Sequence, residues 1–282
     1  DVAEWDCTAT LEGHETECKS VAWSASGTLL ASCSRDKTVW VWEAHPDTEF
    51  ECMGVLMEHE QDVKCVAWHP SEEVGSVSLL RSETDLTGIP AQILASGSYD
   101  DTIKLYLDDP SDDWFCFATL TGHTGTVWSL AWAPNGRYLA SASDDLTIRI
   151  WKRVAEHKWE CVSVLEGAHE RSIYSISWGA GEAADKESSL GWLASTGSDG
   201  KIVVWELEEP SNSELKTPPT HRIIGKLENA HGVHDVNSIA CIVSHTMPAR
   251  PPPRRGALVE SDRRLTGGKR QQVVGGWEDG KE

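Results

Sequence analysis

One phrase is written four times in this chain, and few folds can use a phrase four times. Aligned on their histidines, LEGHETECKSVAW (11–23), LMEHEQDVKCVAW (56–68), LTGHTGTVWSLAW (120–132) and EGAHERSIYSISW (166–178) match one another. A second phrase follows each: LASCSRDKTVWVW (30–42), LASGSYDDTIKLY (94–106), LASASDDLTIRIW (139–151) and LASTGSDGKIVVW (193–205). Trp23, Trp68, Trp132 and Trp178 each lie nine residues after their histidine, while Ser32, Ser96, Ser141 and Ser195 each lie ten before the closing aromatic. His14 to Trp42 and His123 to Trp151 span the same 28 residues, whereas the second and fourth units are lengthened between their halves. Residues 72–92 and 179–190 therefore read as loop insertions. Self-similarity at this period is the signature of a modular architecture.

A further strand-like piece precedes each histidine: WDCTATL, FECMGVL, WFCFATL and WECVSVL. Each unit thus holds four short β-runs separated by turn residues, which is the four-stranded blade of an all-β propeller. Fourteen Trp beside three Phe and three Met fit a structural Trp repeated from unit to unit.

With 45 Asp and Glu against 25 Lys and Arg, the net charge is -20, which excludes a general electrostatic nucleic-acid footprint. No apolar run is long enough to span a bilayer as a helix. The chain opens on Asp1 with no apolar segment and cleavage site, and reads as one whose natural start is missing. Eight Cys without a signal segment or an Asn-x-Ser/Thr acceptor fit a reducing compartment. The cytosol is expected, with the nucleus second.

The GH…W pattern resembles the WD40 repeat. In that family the His entering the innermost strand, a Ser or Thr on the next strand, the Asp of the tight turn and the closing Trp form a buried hydrogen-bonded tetrad. The resemblance places four: His14, Ser32, Asp36 and Trp42; His59, Ser96 and Asp100 with Tyr106 in place of Trp; His123, Ser141, Asp145 and Trp151; His169, Ser195, Asp199 and Trp205. His, Ser and Asp together also suggest a hydrolase triad, but a catalytic constellation is not expected four times over and no nucleophile elbow is present. No enzymatic activity and no cofactor are expected.

LEGHETECKSVAWSASGTLLASCSRDKTVWVWE, QDVKCVAWHP, SYDDTIKLY, GTVWSLAWAPNG and SDDLTIRIW are similar to the Ciao (Cia) WD40 proteins of cytosolic iron–sulfur assembly. Those relatives are seven-bladed; about four complete repeats and the opening of another are matched here. The resemblance implies incomplete propeller repeats over 1–247; beyond them the chain departs from the family, and 248–282, with a Pro cluster, a locally basic run and little strand periodicity, reads as a disordered tail. It also implies a scaffold that helps deliver clusters to cytosolic and nuclear apo-proteins. The implied partners are an iron-only-hydrogenase-like cluster carrier, a HEAT-repeat adaptor, a small iron–sulfur assembly protein and the apo-clients. A generic WD40 adaptor in chromatin or ubiquitin-ligase assembly is the alternative.

Other motifs carry less. Cys7, Cys52, Cys116 and Cys161 repeat at one place in successive outer strands, so a propeller puts them on different blades, where they cannot share a metal. Cys18 takes the place of Val63, Val127 and Ile173 and reads as a small buried hydrophobe. GGKR (267–270) lacks the upstream Gly and the Ser/Thr of a phosphate loop. PARPPPRR reads as a linker or a polyproline ligand.

Blade topology sorts the surface into two faces. Acidic residues collect on one: Asp108, Asp109, Asp112 and Asp113; Glu72, Glu73, Glu83 and Asp85; Glu182, Asp185 and Glu187; Glu206, Glu208 and Glu209. Their expected role is solubility. On the other face, Arg35, Tyr99, Asp144 and Ser198 each precede a tetrad Asp, and Lys19, Lys64, Trp128 and Tyr174 each follow a tetrad His by five residues. Family geometry puts both sets at the mouth of the central channel. Lys19, Arg35, Lys64, Tyr99, Trp128, Asp144 and Tyr174 are the expected partner-binding rim, with Arg35 a cation lacking an acidic neighbour in its own set. Trp, Tyr and Arg are the usual anchors of protein interfaces.

Overall fold

A computed structural model describes residues 7–47, 49–70, 92–109, 113–155, 157–181, 188–210, 217–232 and 234–241. Among these residues, sixteen strands form four antiparallel sheets, each with its strands in chain order. The first sheet is β1 (Cys18–Trp23), β2 (Leu29–Ser34), β3 (Val39–Ala44) and β4 (Phe50–Leu56); the second is β5 (Val63–Trp68), β6 (Ile93–Ser98), β7 (Ile103–Asp109) and β8 (Asp113–Leu120). The third is β9 (Val127–Trp132), β10 (Tyr138–Ser143), β11 (Ile148–Ala155) and β12 (Lys158–Leu165); the fourth is β13 (Ile173–Gly179), β14 (Ser189–Gly197), β15 (Ile202–Glu208) and β16 (Thr220–Leu227). These are propeller blades. β-Branched and aromatic residues fill the strands, and Gly, Ser and Asp fill the turns.

The strand before each histidine belongs to the sheet before it. FECMGVL is β4, bonded to β3, and WFCFATL and WECVSVL close the second and third blades as β8 and β12. The sequence unit is therefore offset from the blade by one strand. WDCTATL shows the consequence, because its described residues from Cys7 onward form no strand: the three strands it would complete are not among the described residues. The fourth blade is closed instead by THRIIGKL, β16, which lies beyond the last repeated phrase.

The core lies between blades. Val39, Val41 and Leu56 of the first blade meet Val63, Trp68 and Tyr106 of the second, and equivalent apolar layers join the second to the third and the third to the fourth. Polar ties cross the same boundaries. Trp68 Nε1–H donates to the Ala22 carbonyl (2.9 Å), and Trp132 Nε1–H to that of Ala67 (3.1 Å). His69 Nε2 lies 2.9 Å from the Gly136 carbonyl and its ring packs edge-on against Trp132. Gly136 has φ +70°, and a Cβ there would strike the imidazole.

Beyond the fourth blade, residues 234–241 run along β13 as an inner strand would. Ile239 N–H donates to Ser175 Oγ, as Ile176 N–H does to Ser129 Oγ one blade earlier. Cys241, at the position of the inner-strand Trp, turns its thiol to the Ser177 carbonyl.

The opposite end is bare. Cys18 is exposed, whereas Val63, Val127 and Ile173 are buried, because no described blade covers β1. Val21 and Trp23 are 61% and 52% exposed, against 8% or less for Val66, Trp68, Leu130, Trp132, Ile176 and Trp178. Here Leu11, His14, Cys18, Val21, Leu30 and Trp42 line a cleft of about 520 Å³.

Candidate functional site

Each blade turns its second hairpin and the entry to its inner strand toward one face, and the four His-Ser-Asp sets form there. His Nδ1 lies 3.0, 2.8, 2.7 and 3.1 Å from the carboxylates of Asp36, Asp100, Asp145 and Asp199. His Nε2 lies 2.9, 2.7, 2.7 and 2.9 Å from the hydroxyls of Ser32, Ser96, Ser141 and Ser195. In three blades a Trp indole donates to that hydroxyl oxygen: Trp42, Trp151 and Trp205. Since a carboxylate only accepts, the imidazole proton sits on Nδ1, facing it; Nε2 then accepts from the serine O–H, and the serine oxygen accepts from the indole. Tyr106 replaces the indole in the second blade, its hydroxyl 3.3 Å from Ser96 Oγ.

Each Asp does more than hold its His. One oxygen accepts the N–H of the residue after the His (Glu15, Glu60, Thr124 or Glu170); the other accepts the N–H two residues on (Thr38, Thr102, Thr147 or Lys201). Burial alone would raise these carboxyls. Against it, hydrogen bonds from His59 and Thr102 hold Asp100 well below the ordinary range, as those from His123 and Thr147 hold Asp145. Asp36 and Asp199 are lowered on the same grounds. Burial pushes His169 down despite Asp199. The serines are buried, so these sets offer substrate no open nucleophile. They fix the turns.

Those turns carry the rim. Arg35, Tyr99, Asp144 and Ser198 donate their N–H groups to the carbonyls of Glu17, Asp62, Thr126 and Ser172 just ahead of each inner strand. Five of the seven rim residues come together. The Lys64 ammonium lies 5.4 Å from the Tyr99 ring centre and 5.2 Å from that of Trp128, with Asp62 3.1 Å away. Trp128 Nε1–H donates to Asp144 (2.6 Å), and its ring meets Tyr174 edge-on at 5.4 Å.

Arg35 and Lys19 engage Glu17 instead, at 3.5 and 3.3 Å. The expectation that Arg35 has no acidic neighbour is therefore wrong. The reason lies in the register: a bulge between Cys18 and Ser20 sets Cys18 opposite Ser34 in the first hairpin, so Glu17 falls opposite Arg35. The same register sets Asp62 against Tyr99, so both acids were missed together. Arg35 and Glu17 remain 61% and 56% exposed, and ion pairs so open to water hold their partners weakly. Ser198 adds no charge.

The acidic face is only partly a solvated surface. Glu209 accepts the Tyr138 hydroxyl proton (3.0 Å) and pairs with Arg137 and Lys152, joining the fourth blade to the third. Glu206 pairs with Arg222. Glu72, Glu73, Glu83, Asp85, Asp112, Glu182, Asp185 and Glu187 lie outside the described residues, as does the segment 248–282. Cys52, Cys116 and Cys161 stand on β4, β8 and β12, three separate sheets.

Four sheets of one strand order, each with a hydrogen-bonded His-Ser-Asp set closed by Trp or, in the second, Tyr, define a propeller of repeated blades. The WD domain, G-beta repeat (WD40) family matches residues 5–43, 50–106, 114–152 and 159–206, and the chain belongs to it. Each match begins on the strand that closes the preceding blade, or would close one. Among curated proteins it is similar to "Probable cytosolic iron-sulfur protein assembly protein 1" of Pyricularia oryzae, 38% identical over 83% of this chain and 61% of that one. The proteins of the same name from Scheffersomyces stipitis and Cryptococcus neoformans are 42% and 39% identical over 84% and 85% of this chain, each covering 62% of the relative. The chain thus spans about three-fifths of the length of these relatives.

Proposed function

We propose that the chain is part of a non-enzymatic scaffold of cytosolic iron–sulfur protein assembly. Its rim holds partner proteins while clusters pass to apo-proteins of the cytosol and nucleus. The observation that carries this reading is the identity of 38–42% with three proteins named for that process, over 83–85% of this chain. The rim supports it chemically: Arg35, Tyr99, Trp128 and Tyr174 have the composition of an interface anchor. The partners of this reading are an iron-only-hydrogenase-like cluster carrier, a HEAT-repeat adaptor, a small assembly protein and the apo-clients.

Affinity purification of the full-length protein tests it. Iron–sulfur assembly factors are the expected catch; ligase or histone-modifying subunits in their place would favour a general WD40 adaptor. In the same background, Arg35→Glu combined with Trp128→Ala should abolish capture and lower cytosolic iron–sulfur enzyme activity. Trp128→Ala also removes the Asp144 hydrogen bond and the Tyr174 contact, so some loss of melting temperature is expected, and capture is measured where the variant remains folded.

A further inference from the structure

We infer that the border of the second and third blades is a slot for an arginine side chain carried by a basic segment of a partner protein. This inference rests on the rim reading above and gives one part of the rim its chemistry.

The slot is already seen to hold a cation. Lys64 places its ammonium within reach of two aromatic rings, Tyr99 and Trp128, the geometry in which a ring quadrupole attracts positive charge. Lys64 sits low, with its side chain 12% exposed, and Asp62 cancels its charge. Tyr99 stands above it with 51% of its surface open. A guanidinium is planar and weakly hydrated, so it stacks on such a ring while its N–H groups reach carboxylates beside it.

The carboxylates are there. Asp144 is held beside Trp128 by the indole hydrogen bond, and Asp101 sits at the tip of the second blade's turn with φ 65°. Asp101 already feels a net negative field: burial first, then the charge of Asp100, with smaller contributions from Asp145 and Asp144, pushes its carboxyl up against the opposing pull of His123. A cation from outside relieves that repulsion. The same field repels a phosphate backbone, so the complementary macromolecule is a basic polypeptide rather than nucleic acid.

The test uses the full chain and a fluorescent Gly-Ser peptide carrying arginines, with a glutamate peptide as counterpart, followed by anisotropy at low and raised ionic strength. The arginine peptide should bind and the glutamate peptide should not. Tyr99→Ala and Asp101→Asn should each weaken binding roughly fivefold or more, while Tyr99→Phe, which keeps the ring, retains it. Glu208→Gln on the opposite face removes the same charge as Asp101→Asn and should leave affinity unchanged. Equal losses from Glu208→Gln and Asp101→Asn would reduce the effect to bulk charge and overturn the slot, as would indifference to Tyr99→Ala. Affinity that rises on Arg254→Ser with Arg255→Ser would show the chain's own basic stretch in the slot, and would overturn its assignment to a partner. If assembly factors still depend on Arg35 while peptide binding ignores Tyr99, this inference fails and the proposed function stands.

Discussion

The indole N–H of Trp132 donates to the main-chain carbonyl of Ala67, and so fastens the third blade to the inner strand of the second. Trp132→Phe leaves that carbonyl without its donor and opens a gap beside His69 and Trp159. The expected cost is about 1–3 kcal/mol, read as a lower urea midpoint. Trp23→Phe, on the uncovered face, should cost less than about 0.5 kcal/mol. Equal losses at the two sites would remove the blade boundary as the seat of stability.

Asp145 accepts from His123 Nδ1, the Thr124 and Thr147 amides and the Thr147 hydroxyl. Asp145→Ala should lower stability by about 3 kcal/mol, the upper end for an orphaned buried group, because several donors lose their acceptor at once. Thermal melting by circular dichroism measures it. An unchanged melting temperature with loss of a hydrolytic activity would mean that the set performs chemistry.

Acid should unfold the chain in two stages. His169 is lowered from 6.5, so the unfolded chain takes up that proton first, and its contribution is full above about pH 6.5 and lost as pH falls further. Asp36, Asp100, Asp145 and Asp199 are lowered from 3.8, and theirs persists to about pH 4 and is lost below it. Melting temperatures across this range should show both declines. His169→Gln should remove the first alone; stability rising on acidification would contradict the assignment.

Leu146 follows its tetrad Asp with φ 68°, a left-handed conformation that costs a branched side chain roughly 1–2 kcal/mol. Lys37 and Asp101 hold the same place with φ 74° and 65°, and the fourth blade uses Gly200 there. Leu146 is 38% exposed, so Leu146→Gly sacrifices little packing and should stabilise the third blade by about 1 kcal/mol or slightly less. A lower urea midpoint would show that Leu146 packs usefully.

The blades were legible because one physical requirement recurs: a buried His needs a Ser and an Asp, and Ser32, Ser96, Ser141 and Ser195 keep one spacing to their Asp and to the closing aromatic despite the insertions that separate His59 from Ser96 and His169 from Ser195. Strand pairing was less legible. FECMGVL has the same alternation whichever sheet receives it, so only the structure shows β4 closing the blade before it. Cys18 misled for another reason: its burial depends on a neighbour, and the identity of a residue says nothing of whether that neighbour is present. Within the rim, Glu17 was hidden in plain text, since contact across a hairpin follows register rather than distance along the chain.

The one-strand offset between phrase and blade makes the chain a series of overlapping joints. β4 is bonded to the first sheet, yet it leads directly into the inner strand of the second. A pull along the backbone therefore cannot take up one blade's slack without loading the next, because the segment that bears the tension is at once the rim of one sheet and the lead-in to another. Cutting between phrases severs a sheet. A unit can be removed or duplicated cleanly only as a whole phrase, in which case the donor of each closing strand changes and the seam remains intact.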